Sequence, residues 1–220
     1  MKKREIKQGI AINAGLAALM LLAMLLTSTF NNGVTAQDFE SVQDPGNYAA
    51  AIQASEGPLR VILTFDNLFL IFYTAAFVFI ASSAWKKRNK LLVVVALAAI
   101  LVTTYLDIQE NASLLGFLAL AKGGQPISAA MLLERDVLSQ VKFVSSYLSF
   151  FLFAFVLHRD TFLEKLLRWS LWTLAPVIGI LVYTFPSELW SLGRYLFMLS
   201  GLAIISWNYW LRSRKHKKSL

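Results

Sequence analysis

Residues 91–120 read LLVVVALAAILVTTYLDIQENASLLGFLAL. As a helix at ~1.5 Å per residue this stretch reaches ~45 Å, longer than the ~30 Å hydrocarbon core of a bilayer. Its composition is that of a membrane span, yet Asp107, Glu110 and Asn111 lie inside it. A charge facing lipid is costly, so the polar groups need a bundle interior to turn toward. Helical spacing puts Thr103, Asp107, Glu110, Asn111 and Leu114 on one face, which makes this possible.

The rest of the chain supplies such a bundle. It has 220 residues, 57% of them hydrophobic, with mean hydropathy +0.57. The apolar excess is gathered into runs near 9–30, 58–84, 91–120, 137–157, 165–185 and 189–211. Each is long enough to cross a bilayer as a helix, and none alternates like an outer-membrane strand. The expected fold class is therefore an all-α membrane protein, a bundle of six transmembrane helices in a single polytopic domain over 1–220. The first run carries one further expectation. MKKREIK, an apolar core and GVTA before Gln37 resemble a cleavable secretory signal, but the core outruns the usual 7–15 residues, so an uncleaved anchor is expected.

Charge orients the bundle. The net charge is +8 and the pI about 9.8, and most of the 21 Lys and Arg form short clusters between apolar runs. Lys2, Lys3, Arg4 and Lys7, then Lys86, Lys87, Arg88 and Lys90, then Arg159, Lys165 and Arg168, then the tail from Arg212 all fall on one side. The other side holds only Arg60, Lys122, Arg135, Lys142 and Arg194. By the positive-inside rule both termini are cytoplasmic. The basic balance is thus explained by topology, with no nucleic-acid partner, and the tail 212–220 suits the anionic lipids of an inner leaflet. The bacterial plasma membrane is the expected location. The loop 31–57 is then outside; a lid over the outer mouth is one reading and a solvated connector the favoured one, with a short helix starting after Asn47 as its cap.

Counting ~1.5 Å per residue from the basic collars places Asp66, Asp107, Glu110, Lys142 and Arg194 about 24–30 Å up four separate helices, at nearly one level. On the fourth span Ser139, Lys142, Ser146 and Ser149 make a second polar stripe, and hydroxyls there let helices approach and hydrogen-bond. Pro176 is expected to kink the fifth span, and Gly193 and Gly201 to allow close packing of the sixth.

Three short patterns, FDNLFLIFY (65–73), DIQEN (107–111) and QVKF (140–143), resemble marks of a group of small bacterial multi-pass membrane proteins. The likeness covers roughly residues 58–160. It implies a multi-helix membrane fold and no particular activity, so it assigns no catalytic residue.

The expected binding residues are Asp66, Tyr73, Asp107, Glu110, Asn111, Ser139, Lys142, Ser146 and Arg194. Acids and bases meeting near the outer boundary can hold a small polar or cationic solute, and a carboxylate that stays protonated can couple a proton to it. Two alternatives remain open. The same carboxylates can serve acid–base chemistry on a lipid-like substrate, or the ion pairs can fix helix register and nothing more. A Ser–Lys dyad of Lys142 with Ser139, Ser145 or Ser146 is a weaker enzyme reading, because one helix face orients these groups poorly for attack. The chain has no cysteine and two histidines, which removes thiolate sites and histidine-rich zinc or haem sites, and no cofactor is assigned. Oligomeric state has no signature in the sequence.

Overall fold

The structure is a computed structural model that describes residues 3–39, 44–85, 89–185 and 187–215. The collar residues Lys86, Lys87 and Arg88, and the end of the basic tail from His216, lie outside the described residues.

Among the described residues the regular elements are helical. They are α1 (Lys3–Phe30), α2 (Pro45–Ala54), α3 (Glu56–Ala84), α4 (Lys90–Lys122), α5 (Ala129–Val156), α6 (Phe162–Trp172), α7 (Leu174–Thr184) and α8 (Glu188–Lys215), with a short 3₁₀ turn over Ala36–Phe39. With α6 and α7 taken as one broken run, six helices are long and apolar enough to cross a membrane. The break falls at Thr173. Pro176 sits three residues beyond it, lacks an amide donor, and its ring excludes a regular helical carbonyl at Trp172.

The long helices close a ring. α1 packs on α3 and α8, α3 on α4, α4 on α5, α5 on α6 and α7, and these in turn on α8. Small residues and hydroxyls make the contacts close. Buried Ala11, Ala14 and Ala18 line α1, and Ser206 of α8 donates to the Ala11 carbonyl at 2.8 Å. A Cβ on Gly15 would lie 2.9 Å from that hydroxyl. On α5, Ser145 and Ser149 donate to the Ala99 and Ala96 carbonyls of α4 at 2.9 and 2.8 Å, while Thr74 and Thr104 join α3 to α4 at 2.7 Å. These bonds satisfy hydroxyls that lipid could not. The close-packing glycines differ from those expected. A Cβ on Gly193 would meet nothing within 4 Å, and one on Gly201 only a Leu167 methyl at 3.9 Å. Gly179 is where α5 and α7 press together, its missing Cβ giving way to the Tyr147 ring.

Two other expectations are corrected. The fourth span starts at Ala129, eight residues earlier than 137, with Ser128 capping it. Segment 31–57 is no simple solvated connector. Phe39, Tyr48 and Ile52 are buried with Leu59, Leu63, Leu114, Phe117 and Leu118, forming a small second core over the ends of α3 and α4. Helix α2 begins at Pro45, and its cap is Asp44, whose carboxylate accepts from the Asn47 amide at 3.1 Å. Proline favours this first helical position, where an amide hydrogen would have no partner anyway.

Candidate functional site

A cavity of about 1080 Å³ opens between α1, α3, α4, α5 and α8, at the end where segment 32–38 crosses the bundle. Its polar wall is built from α3, α4 and α5. Asp66 and Tyr73 come from α3, Thr103, Asp107, Glu110 and Asn111 from α4, and Lys142 and Ser146 from α5. The α4 residues reach it together because Thr103, Asp107, Glu110 and Leu114 recur every three or four residues, on one helix face.

The Lys142 amino group is held between Asp107, whose Oδ1 is 3.0 Å away, and Glu110 Oε2, which it contacts more closely. Glu110 Oε1 accepts from Arg135 Nη1 at 3.2 Å. Arg135, Glu110 and Lys142 side chains are 2%, 4% and 6% exposed, whereas Asp107 is 18% exposed. The chain of charges therefore runs from a sealed interior at Arg135 to a carboxylate at the cavity surface. Buried ions of this kind persist only when mutually paired, and truncating one member leaves the others uncompensated. Beside this chain, Asn111 Nδ2 donates to Asp66 Oδ2 at 2.6 Å and reaches Asn67 Oδ1 at 3.3 Å, bridging α4 to α3.

Aromatic rings share the lining with these charged groups. Phe69, Tyr73, Phe143 and Tyr195 line the cavity. Tyr73 stacks on Phe69 with centroids 5.1 Å apart and meets Phe77 edge-on at 5.0 Å. Phe77 in turn contacts Phe150 and Phe153, so a layer of rings fills the bundle beyond Tyr73. The Tyr195 hydroxyl donates to the Leu21 carbonyl, tying α8 to α1 at the cavity wall.

Seven of the nine expected residues thus line one cavity: Asp66, Tyr73, Asp107, Glu110, Asn111, Lys142 and Ser146. Two lie off its wall. Ser139 is buried on α5, one turn from Lys142 on the Arg135 side. Arg194 turns its guanidinium onto the Phe143 ring, 3.8 Å from the centroid, and Lys142 Nζ is 4.4 Å from the same centroid. Arg194 therefore contributes through a cation–π contact with a lining ring. Arg135 is an addition, because the run expected from 137 leaves it outside the fourth span. A signal existed: Arg135, Ser139, Lys142, Ser146 and Ser149 continue one stripe at helical spacing. The residues of the mouth are additions as well. Ser28, Asn32, Thr35, Gln37 and Asp38 line it, and Asp38 Oδ2 accepts from the Thr35 amide at 2.7 Å.

Among the described residues the lining carries four carboxylates, Asp38, Asp66, Asp107 and Glu110, and the ammonium of Lys142, with the Arg135 guanidinium on Glu110 and that of Arg194 on the lining ring of Phe143. No three His, Cys, Asp or Glu side chains among the described residues converge as metal ligands. What the arrangement can do is attract positive charge into an aromatic-lined recess. Comparison with protein-family models, with curated proteins and with solved structures gives no match, so the chemistry of the site rests on its own geometry.

Proposed function

We propose that the protein is a multi-pass protein of a bacterial plasma membrane, both termini cytoplasmic, whose cavity binds a small organic cation from the extracytoplasmic side. Support for the setting comes from six apolar spans and from the gathering of Lys and Arg in the connections on one side. The basic tail then lies against anionic inner-leaflet lipids.

The observation that carries the binding reading is one cavity that brings Asp38, Asp66, Asp107 and Glu110 together with the rings of Phe69, Tyr73 and Tyr195. Asp66 and Asp107 supply the charge, and the rings supply faces on which a weakly hydrated ammonium group gains cation–π attraction. Proton uptake by the same carboxylates would compete with the cation, which is how binding would couple to protons. Translocation extends the reading only if the Tyr73–Phe77–Phe150–Phe153 layer rearranges, since these rings occupy the path beyond the cavity.

The test is equilibrium binding of tetramethylammonium to the purified protein in nanodiscs. Saturable binding is expected, weakened about tenfold by Asp66→Asn with the melting profile kept, since an amide oxygen there can still accept from Asn111, and at least as far by Asp107→Asn. Absence of binding, or affinity unchanged in the double variant, would reject the reading. A second reading, purely structural ion pairs, is favoured by the insertion of Lys142 between Asp107 and Glu110. It predicts no binding together with a stability loss on breaking the pairs.

A further inference from the structure

The cavity has two unlike walls. Charged groups come from α3, α4 and α5, whereas α1 and α8 present Leu21, Met24, Leu25, Leu192 and Met198 to the same space. Its volume of about 1080 Å³ slightly exceeds the ~300–1,000 Å³ that holds a whole drug-sized ligand, far more than a bare ammonium head group needs. A compact hydrated ion would leave the α1–α8 wall wet. Apart from Ser28 and Ser191 that wall is apolar over two helices, and water against its apolar part is a cost that an apolar ligand group removes. Tyr195 ties the two helices of that wall together and lines the cavity itself.

We infer that the ligand is an amphiphile with a cationic head, the head seated by Asp66 and Asp107 and a short hydrocarbon portion lying along Leu21, Met24, Leu25, Leu192 and Met198. The inference rests on the cation-binding reading and deepens it by naming the ligand class. The head-group chemistry is shared by amine-headed lipids and by free alkylammonium compounds. The apolar wall is what separates either of them from a small hydrophilic cation.

The experiment compares tetramethylammonium, hexyltrimethylammonium and hexyl sulfate, all below micellar concentration, on the full chain in nanodiscs. Each buried methylene is worth about fourfold in affinity, so five added methylenes give an expected advantage of at least ~30-fold for the hexyl cation even when partly buried. Leu25→Ala and Leu192→Ala, which shorten the wall and keep both spans apolar, should cut that advantage at least ~fivefold and leave tetramethylammonium binding alone. Asp66→Asn with Asp107→Asn should weaken both cations together, which separates site binding from partition into the nanodisc lipid. Hexyl sulfate should not compete. Equal affinity of the two cations, or a hexyl advantage unchanged in both wall variants, would overturn the inference and leave the cation site standing. Failure of either cation to bind would overturn the underlying reading too. If competition by hexyl sulfate matches the hexyl cation, chain burial alone drives binding and the cationic head is refuted.

Discussion

Two ion-pair clusters of similar chemistry, one midway along α4 and α5 and one at the start of α6, differ in what surrounds them. At one, Lys142 and Arg135 serve Asp107 and Glu110 beside a large cavity. At the other, Arg212 of α8 binds Glu164 through Nε at 2.5 Å and Nη2 at 2.7 Å, and reaches Asp160 Oδ2 at 2.7 Å. Glu164 also accepts from the Asp160 and Thr161 amides at 2.9 and 3.1 Å, and Thr161 caps α6 in return. Every part of the second cluster has a local structural role, since together they start α6 and clamp that start to α8. The first cluster does join α4 to α5, but hydroxyl-to-carbonyl bonds from Ser145 and Ser149 already do so. Of its carboxylates, Asp107 lies at the cavity surface while Glu110 is sealed between Arg135 and Lys142. Ion pairing alone therefore says little about role, and the adjacent volume decides.

This contrast can be broken by substitution. The largest effect is expected at Lys142. Lys142→Met leaves Asp107 and Glu110 without their shared base in a nearly sealed site, a loss of about 3–5 kcal/mol readable as a drop in melting temperature. Combining it with Asp107→Asn, which leaves the Arg135–Glu110 pair intact, should recover much of the loss, and strictly additive losses would mean that Lys142 and Asp107 do not act as a pair. Arg212→Ala should cost less, about 1–3 kcal/mol, since its fork is partly exposed and Asp160 is 68% exposed. It should not alter tetramethylammonium affinity; an equal fall in affinity would show that the two clusters are coupled and erase the contrast. The smallest effect belongs to Arg60→Ala. Its pair with Glu56 is an exposed i,i+4 contact at 3.0 Å, and Glu56 keeps Lys122 at 2.8 Å, so a change of at most ~0.5 kcal/mol is expected. A larger change would give this outer surface a share in holding the second core.

Much of the fold was legible because hydrocarbon imposes it. A span needs about 20 apolar residues and must satisfy its backbone within itself, so each long helix writes its own length into the chain. The α4 stripe was legible for a similar reason: 3.6-residue periodicity puts Asp107, Glu110 and Asn111 on one face whatever packs against them. Legibility ended where a residue's environment is set by a distant partner. Glu134, Arg135 and Asp136 look like the wet end of a loop, and only Glu110, 25 residues away, turns Arg135 into an interior group. The same holds for Phe39, Tyr48 and Ile52. Their stretch is too short and irregular for a periodicity to register, and their burial depends on Leu114, Phe117 and Leu118 of α4. Gly193 failed in the opposite sense, since a small residue permits close packing without requiring it.

What the sequence by itself determined is the number of apolar helices, their faces and the groups that cannot be left in lipid. Those follow from local spacing and from the cost of stranding polar atoms in hydrocarbon. Which charge meets which, whether space remains beside them, and which apolar wall closes that space were decided only by the tertiary structure. Such features depend on distances between helices far apart in the chain, and no local pattern encodes them.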